Sequence, residues 1–157
     1  MKIWRLGYRE AKQKAMSIYF RVGRIKCPAL DNKYISFNRK GFDHLIHKGR
    51  IPRSKIEQKK RFVLLKYIEK IIKNPKATIL YREKDIKHKT GKANKHGKNV
   101  LVNAKAKYWT FVENINSCKI KLVIVQINSG MKKFCSIMGD NIQLNKCDKT
   151  KKFLRKK

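Results

Sequence analysis

The chain has 157 residues and carries 42 Lys and Arg against 10 Asp and Glu, which gives a formal net charge of +32. Hydrophobic residues make up 41% of the sequence, enough to bury the core of one domain, so the composition excludes a fully disordered protein. A compact body with this charge attracts polyanions, and we expect nucleic acid, bound through its phosphates, as the partner. An AT-rich genome explains part of the lysine content, but it does not explain why carboxylates are so few.

The ten carboxylates are scattered along the chain. A nuclease that uses Mg²⁺ needs several carboxylate oxygens around the ion, so we expect no metal and no other cofactor. The four cysteines (Cys27, Cys118, Cys135 and Cys147) form no CxxC pair, which argues against structural zinc and is typical of thiols in a reducing cytosol. No hydrophobic run approaches the length of a membrane span, and the N-terminus lacks the apolar segment of a signal peptide. We therefore expect a cytoplasmic protein with no membrane partner.

Two longer helices are predicted in the N-terminal half. Residues 8–22 place apolar side chains at helical spacing, and Gly23 can end that helix. Further on, Ser54 and Glu57 form a capping box for a long helix. An apolar stripe runs along it until Asn74-Pro75 stops it, and the stripe consists of Leu64, Ile68, Ile71 and Ile72.

The C-terminal half changes to a strand pattern. The run "TILY" (78–81) predicts a strand or a last helical turn, and the polar, basic residues 82–99 predict a loop. Three apolar runs follow, "KYWTFVENI", "KIKLVIVQI" and "KKFCSIM", and their short turns "NSC" and "NSG" indicate an antiparallel meander. Residues 149–157 read as a basic tail. We therefore expect a single α+β domain over residues 1–148, with N-terminal helices packed on a C-terminal antiparallel sheet.

The stretch "FNRKGFDHLIHKGR" raises the question of catalysis. "YISF" before it predicts a strand, and Asn38 can cap a short helix through Lys48, with Gly49 after its end. On that helix the side chains of His44 and Lys48 point away from the apolar face, Lys40 lies near them, and His47 lies at the edge. One interpretation is an exposed histidine among lysines. The other is an imidazole with a pKa lowered by cations, able to exchange a proton while the lysines hold a phosphate.

The runs "YISFNRKGFDHLIHKGR", "RSKIEQKKRFVLLKYIEKIIKNP", "KYWTFV", "IVQI" and "GMKKFCSIM" together carry a resemblance over roughly residues 27 to 138. They resemble small bacterial and phage proteins of the barnase–EndoU–colicin–RelE superfamily of metal-independent RNases. Residues 1–26, an N-terminal helical extension, and the tail fall outside it. The resemblance implies that fold, and cleavage of RNA by attack of a ribose 2′-OH on the adjacent phosphate, which leaves a 2′,3′-cyclic phosphate and a 5′-hydroxyl end.

Under this resemblance the family histidine corresponds to His44 and the strand serine or threonine to Ser136. His44 would accept the 2′ proton or protonate the leaving oxygen, and the two roles stay unassigned. A cation would stabilise the charge on phosphorus, with Lys48, Arg50 and Lys133 as the candidates. Ser136 would hold a nonbridging oxygen or position the 2′-OH. His47 is kept as a further catalytic candidate.

The register of the last hairpin decides where Ser136 points. With a three-residue loop ending at Gly130, Ser136 shares a sheet face with Leu122 and Gln126, which suits a polar site. With Ser129-Gly130 alone as the loop, Ser136 shares the face of Val123 and Val125 and becomes a core hydroxyl.

Several residues are candidates for RNA contact. Arg82 and Lys40 can reach phosphates, and Gln126 belongs to the polar arrangement just described. Trp109 can stack a base, although most such residues belong to a core. His88 and His96, in the basic segment, are better suited to phosphate contact or solvation than to catalysis.

We thus expect an endoribonuclease of toxin or phage-accessory type, acting on structured RNA, with tRNA and ribosome-bound mRNA as candidate targets. An acidic inhibitor or antitoxin would restrain it. One alternative is a non-catalytic protein that binds RNA or the ribosome. Another is a DNA-binding accessory protein, but no helix-turn-helix or zinc-finger pattern supports it.

Overall fold

A computed structural model describes residues 2–93, 95–97 and 99–140. Helices in this part of the chain are α1 (Tyr8–Val22), α2 (Arg39–Ile46), α3 (Lys55–Leu64) and α4 (Ile68–Lys73), with short 3-10 turns at Ile3–Arg5, Pro28–Leu30 and Leu65–Tyr67. The strands are β1 (Arg24–Cys27), β2 (Lys33–Ser36), β3 (His47–Lys48), β4 (Ile51–Pro52), β5 (Thr78–Ala93), β6 (Asn99–Ile115), β7 (Cys118–Ile127) and β8 (Lys132–Asp140). The α+β class is confirmed.

Local signals account for most helix boundaries. The backbone beyond α1 turns at Gly23, whose φ of 63° suits glycine. The side chain of Asn38 accepts a hydrogen bond from the Gly41 amide and so caps α2. The hydroxyl of Ser54 accepts one from the Glu57 amide and caps α3.

The described strands form a six-stranded sheet in the order β1-β2-β8-β7-β6-β5 and a small two-stranded hairpin, β3-β4. The expected meander of β6, β7 and β8 is confirmed, since both pairs are antiparallel. The sheet as a whole is mixed, because β2 from the N-terminal half runs parallel to β8. The expected antiparallel sheet of the C-terminal half is therefore observed for β5 to β8, and β1 and β2 of the N-terminal half extend it.

Two further local predictions need correction. Residues 82–99 were expected to form a loop, but Arg82–Ala93 continue β5 and pair with β6. The helix expected to reach Lys48 ends at Ile46, and the hairpin of β3 and β4 follows it, turning at Gly49 with φ 63°. The predicted tail, 149–157, lies outside the described residues.

The core lies between the helices and one face of the sheet. The ring of Tyr19 on α1 is fully buried and contacts the rings of Phe42 and Phe134. The helix expected within an N-terminal extension is thus part of the main core. The apolar stripe predicted for the long helix is buried in α3 and α4. Among the described residues no helix is long and apolar enough to cross a membrane.

Candidate functional site

Among the described residues, helices cover one face of the sheet and leave the other face uncovered. In β7 the side chains of Ile120, Leu122 and Ile124 are buried, whereas those of Val123 and Val125 between them are half-buried. Strand pairing places further residues on the same face as Val123 and Val125. We call this face the open face of the described structure and define it by Leu80, Arg82, Tyr108, Thr110, Val123, Val125, Lys133 and Ser136.

Along the outer edge of β8, the neighbouring element changes from a strand to helices. β2 pairs with β8 at Lys132 and Lys133, and α2 and α3 lie along β8 beyond that point. The register with β7 shifts here, because Val123 pairs with Ser136 but Ile124 pairs with Phe134. Cys135 is therefore the extra residue of a β-bulge, and an extra residue of this kind is left out of the strand pairing.

His44 on α2 contacts this bulge. Its Nδ1 lies 3.0 Å from the carbonyl oxygen of Cys135 and 3.8 Å from the Cys135 sulfur. A carbonyl oxygen can only accept, so Nδ1 carries the proton and donates. This hydrogen bond fixes the ring and leaves Nε2 as the nitrogen that can accept or give up a proton.

Arg61 on α3 reaches the next part of the same edge. Its Nη1 donates to the Ser136 hydroxyl at 2.7 Å and to the Ile137 carbonyl at 2.9 Å. Its Nε is buried and has no hydrogen-bond partner among the described residues. Burial lowers the pKa of Arg61, the charge of Arg53 lowers it further, and Glu57 acts in the opposite direction. An arginine nevertheless stays protonated, so a half-buried cation lies beside Ser136.

Arg53 ties the two helices together at this edge. Its Nε donates to the carbonyl of His44 at 3.2 Å, and its backbone amide donates to the carbonyl of Ile46 at 2.7 Å. Its own carbonyl accepts from the Gln58 side chain of α3 at 2.8 Å. The start of α3 is thereby held against the end of α2, which places the His44 and Arg61 side chains along one strand edge.

A cavity of about 380 Å³ opens beside Arg61. Its lining residues are Glu57, Lys60, Arg61, Leu64, Met138, Gly139 and Asp140. Both carboxylates are paired with lysines, Glu57 with Lys60 and Asp140 with Lys121. Arg61 thus forms part of the wall of a cavity at the β8 edge.

Cations surround the bulge on the open face. Burial raises the pKa of the Cys135 thiol, while the positive charges of Arg82 and Lys40 act on it in the lowering direction. Arg82 and Lys133 belong to one cross-strand row, with Tyr108 and Val125 between them. The Arg82 guanidinium lies over the Tyr108 ring, 4.9 Å from its centroid. Of the candidates from the sequence, the structure thus gathers His44, Ser136, Lys40, Arg82 and Lys133 around one place.

The remaining candidates lie elsewhere. Trp109 and Gln126 face the helices, opposite to the open face. Trp109 packs against the core and lies under the ammonium group of Lys132, and Gln126 donates to the Gly130 carbonyl at its turn. The arrangement in which Gln126 shares a face with Ser136 is not observed, because the bulge at Cys135 moves Ser136 to the other face.

His47, Lys48 and Arg50 belong to the β3-β4 hairpin and its turn. Among the described residues, no hydrogen bond or ion pair joins them to His44, Ser136 or Arg61. The hairpin follows α2 directly, so these residues flank the site on its helix side.

The register prediction for Ser136 had offered two arrangements. The turn follows the first, since Val125 pairs with Lys133, but the bulge then places Ser136 on the face of Val123, as in the second. Its expected consequence, a core hydroxyl, does not follow, because this face is open and the hydroxyl is engaged by Arg61.

Sequence reasoning did not select Arg53 or Arg61. Arg61 lies next to Phe62, and three residues after Gln58, both of which are buried. The sequence does indicate a partly buried side chain here, because an arginine next to the buried side of a helix can pack its aliphatic part against apolar neighbours. Which strand edge it would reach depends on tertiary contacts that the sequence does not show.

No group of three or more His, Cys, Asp or Glu side chains that could hold a metal ion occurs among the described residues. Comparison of the chain with protein-family models, with curated proteins and with solved structures finds no match.

Proposed function

We propose that the protein is a metal-independent endoribonuclease that binds RNA on the open face and cleaves it beside β8. The observation that carries the proposal is the hydrogen bond from His44 Nδ1 to the Cys135 carbonyl. It orients an imidazole with a usable Nε2 at the rim of a cation-lined face. A chain of net charge +32 supplies the attraction for the polyanion.

The proposed chemistry needs one proton transfer at each end of a displacement at phosphorus. The ribose 2′-oxygen loses its proton and bonds to phosphorus, the bond from phosphorus to the 5′-oxygen breaks, and that oxygen takes up a proton. The Nε2 atom of His44 is suited to one of these transfers. The products are a 2′,3′-cyclic phosphate and a 5′-hydroxyl.

Negative charge that accumulates on the phosphate oxygens needs a fixed donor. Arg61 is suited to this, because its guanidinium is already oriented by Ser136 and Ile137 and therefore needs little reorganisation during the reaction. Lys40, Arg82 and Lys133 hold the flanking phosphates in this proposal. In this proposal the role of Ser136 is to orient Arg61.

The resemblance to the barnase–EndoU–colicin–RelE superfamily supports the same activity. The histidine that corresponds to the family residue is the one that contacts the last strand, next to Ser136. As part of the proposal, the protein acts in the cytoplasm as a toxin or phage-accessory protein. Its targets are then tRNA or ribosome-bound mRNA, and an acidic inhibitor protein complements its charge.

One observation favours the non-catalytic alternative, an RNA- or ribosome-binding protein with the same surface. The Arg61 Nη1 and the Ser136 hydroxyl hydrogen bond to each other, so both groups have a structural role without any substrate. Such a protein would use the cations of the open face and leave RNA intact.

Incubation of the pure protein with total RNA in EDTA separates the two functions. An endoribonuclease yields fragments with 2′,3′-cyclic phosphate and 5′-hydroxyl ends, and His44→Ala abolishes them. A salt-dependent mobility shift with intact RNA in the same buffer would reject the enzymatic proposal and leave the binding protein. Mapping of both ends distinguishes the reaction from contamination by metal-dependent nucleases, which EDTA also suppresses.

A further inference from the structure

The hairpin of β5 and β6 extends far beyond the rest of the sheet. In the described residues the pairing of β6 with β7 begins at Ala106, opposite Ile127. Beyond that point β5 and β6 pair with each other from Asp85 opposite Lys105 to Lys89 opposite Leu101, and after an irregularity in the register Ala93 lies opposite Asn99. The nine residues 85–93 span roughly 30 Å at the usual rise of a strand. We call residues 85–93 and 99–105 the arm.

The arm is positively charged along its outer length. Residues 86–104 contain five lysines and no carboxylate (Lys87, Lys89, Lys92, Lys95 and Lys98). The acidic residues of the hairpin lie at its base, where Glu83 forms an ion pair with Lys105 at 3.6 Å. Neutralisation by carboxylates is therefore confined to the base, and Lys87, Lys89 and Lys95 of the outer part are exposed.

The two faces of the arm differ. Lys87 and Lys89 alternate along one face, and both side chains are exposed. The other face pairs Ile86 with Ala104 and His88 with Val102, and it continues the open face through Arg82. The arm thus carries lysines and Leu101 on one side, and it carries apolar groups and His88 on the side that continues to Arg82.

The arm is costly to maintain without a partner. A two-stranded hairpin is at best marginally stable alone, because no further strand or helix packs along it. Val100, Leu101 and Val102 are 37%, 55% and 38% exposed, which leaves apolar side chains in water. A stable ligand along the arm would cover them, and its charge must be negative.

We propose that the arm binds the backbone of double-helical RNA and so directs the enzyme to structured RNA; this inference rests on the proposed function. A-form RNA has a wide, shallow minor groove edged by phosphates, and it is recognised by shape and phosphate contact. A two-stranded ribbon lies in such a groove with its lysines toward the phosphates. The face continuous with Arg82 then leads an adjoining unpaired strand to His44.

The test uses the full chain in the His44→Ala background, so that cleavage does not disturb binding. Lys87→Gln/Lys89→Gln is compared with Lys70→Gln/Lys76→Gln, which removes the same charge from α4 and the turn that follows it, at the other end of β5. Fluorescence anisotropy follows binding to an RNA duplex, to oligouridine and to a DNA duplex of the same sequence. Each is titrated over a series of salt concentrations.

We expect the arm variant to bind the RNA duplex about fivefold to tenfold more weakly than the control variant, and its salt slope to fall by about two. Oligouridine binding should change equally in both variants. Equal affinity of the two variants for the RNA duplex would overturn the proposal. So would an equal loss of oligouridine affinity in the arm variant. Binding of the DNA duplex as tightly as the RNA duplex would overturn it as well. The proposed function fails by a different readout, the absence of cyclic phosphate ends with the active chain.

Discussion

The Nδ1 atom of His44 lies 3.0 Å from the carbonyl oxygen of Cys135, although the two residues are 91 positions apart in the chain. The contact joins the capped helix of the N-terminal half to the bulge in the last strand. It orients the ring and defines which nitrogen is left for chemistry. In the proposed function, the position of the His44 ring therefore depends on the bulge as well as on α2.

His44→Ala tests the catalytic role directly. We expect it to slow RNA cleavage by about 10²- to 10⁴-fold, the usual contribution of one acid–base group. RNA affinity should stay within about twofold, since the cations of the open face remain. Cleavage is measured with an end-labelled RNA in EDTA, and binding by filter retention. His47→Ala is the matched control, because His47 lies on the β3-β4 hairpin. We expect the His47→Ala variant to cleave RNA at the parental rate.

Arg61→Gln tests the half-buried cation. The substitution removes the charge that we place next to the reacting phosphate, so kcat should fall by about 10²- to 10³-fold. Ser136→Ala leaves the guanidinium and its bond to the Ile137 carbonyl, and its kcat should fall by much less. Circular dichroism checks that both variants fold. A folded Arg61→Gln protein with parental kcat would assign Arg61 to structure alone.

Two neighbouring lysines test which sheet face binds RNA. Lys133 is exposed on the open face, whereas the ammonium group of Lys132 lies 4.9 Å from the centroid of Trp109 on the helix side. Lys133→Gln should weaken RNA binding and reduce the salt slope by about one. Lys132→Gln removes the same charge and should leave both unchanged. Equal effects would indicate attraction by net charge without a defined binding face.

The parts of the fold that local chemistry specifies could be predicted from sequence. The caps at Asn38 and Ser54 and the apolar stripes of α1, α3 and α4 are read from neighbouring residues. The strands of the meander are likewise rich in β-branched and aromatic residues. Within the candidate site, His44 and Ser136 were selected by resemblance, and the structure brings them to adjacent positions on one strand edge.

The parts that depend on distant partners could not be predicted. The polar pattern of residues 82–93 indicated a loop, because pairing through Glu83 with Lys105 and Lys87 with Asn103 leaves no apolar alternation to detect. Trp109 lies on the helix side and Tyr108 on the open side, and parity alone does not say which side is covered. Arg61 is a site residue only because the Arg53 contacts hold α3 against the β8 edge.

Gly41→Ala tests the packing of α2 on β8. A Cβ at Gly41 would lie 2.8 Å from the carbonyl oxygen of Phe134 and closer still to the hydroxyl of Tyr19. We expect a loss of about 1–3 kcal/mol in the free energy of unfolding, typical of overpacking, measured by urea denaturation. Gly7→Ala meets open space and should cost less than about 1 kcal/mol, the difference between cap residues. Similar small losses in both would show that α2 can move away from β8.

Tyr19 makes the stability of the protein vary with pH in the alkaline range. Burial raises the pKa of this phenol above its ordinary value of 10.0, and the charge of Asp43 raises it further, while the hydrogen bond to the Asn38 carbonyl acts the other way. The unfolded chain loses this proton near pH 10 and the folded chain does not, so the stabilisation present below that pH is lost as the pH rises.

Tyr19→Phe should isolate this dependence. Near neutral pH the variant should be about 1 kcal/mol less stable than the parent, because the 2.7 Å hydrogen bond from the Tyr19 hydroxyl to Asn38 is lost. Above about pH 10 the difference should shrink, since phenylalanine has no proton to lose. Lysines also titrate there, but they do so in both proteins and cancel in the difference. Urea denaturation at about pH 8 and about pH 10.5 measures it, with Tyr34→Phe as the control, because Tyr34 is 49% exposed. A difference that stays constant between the two pH values would show that Tyr19 ionises as readily in the folded protein as in the unfolded chain.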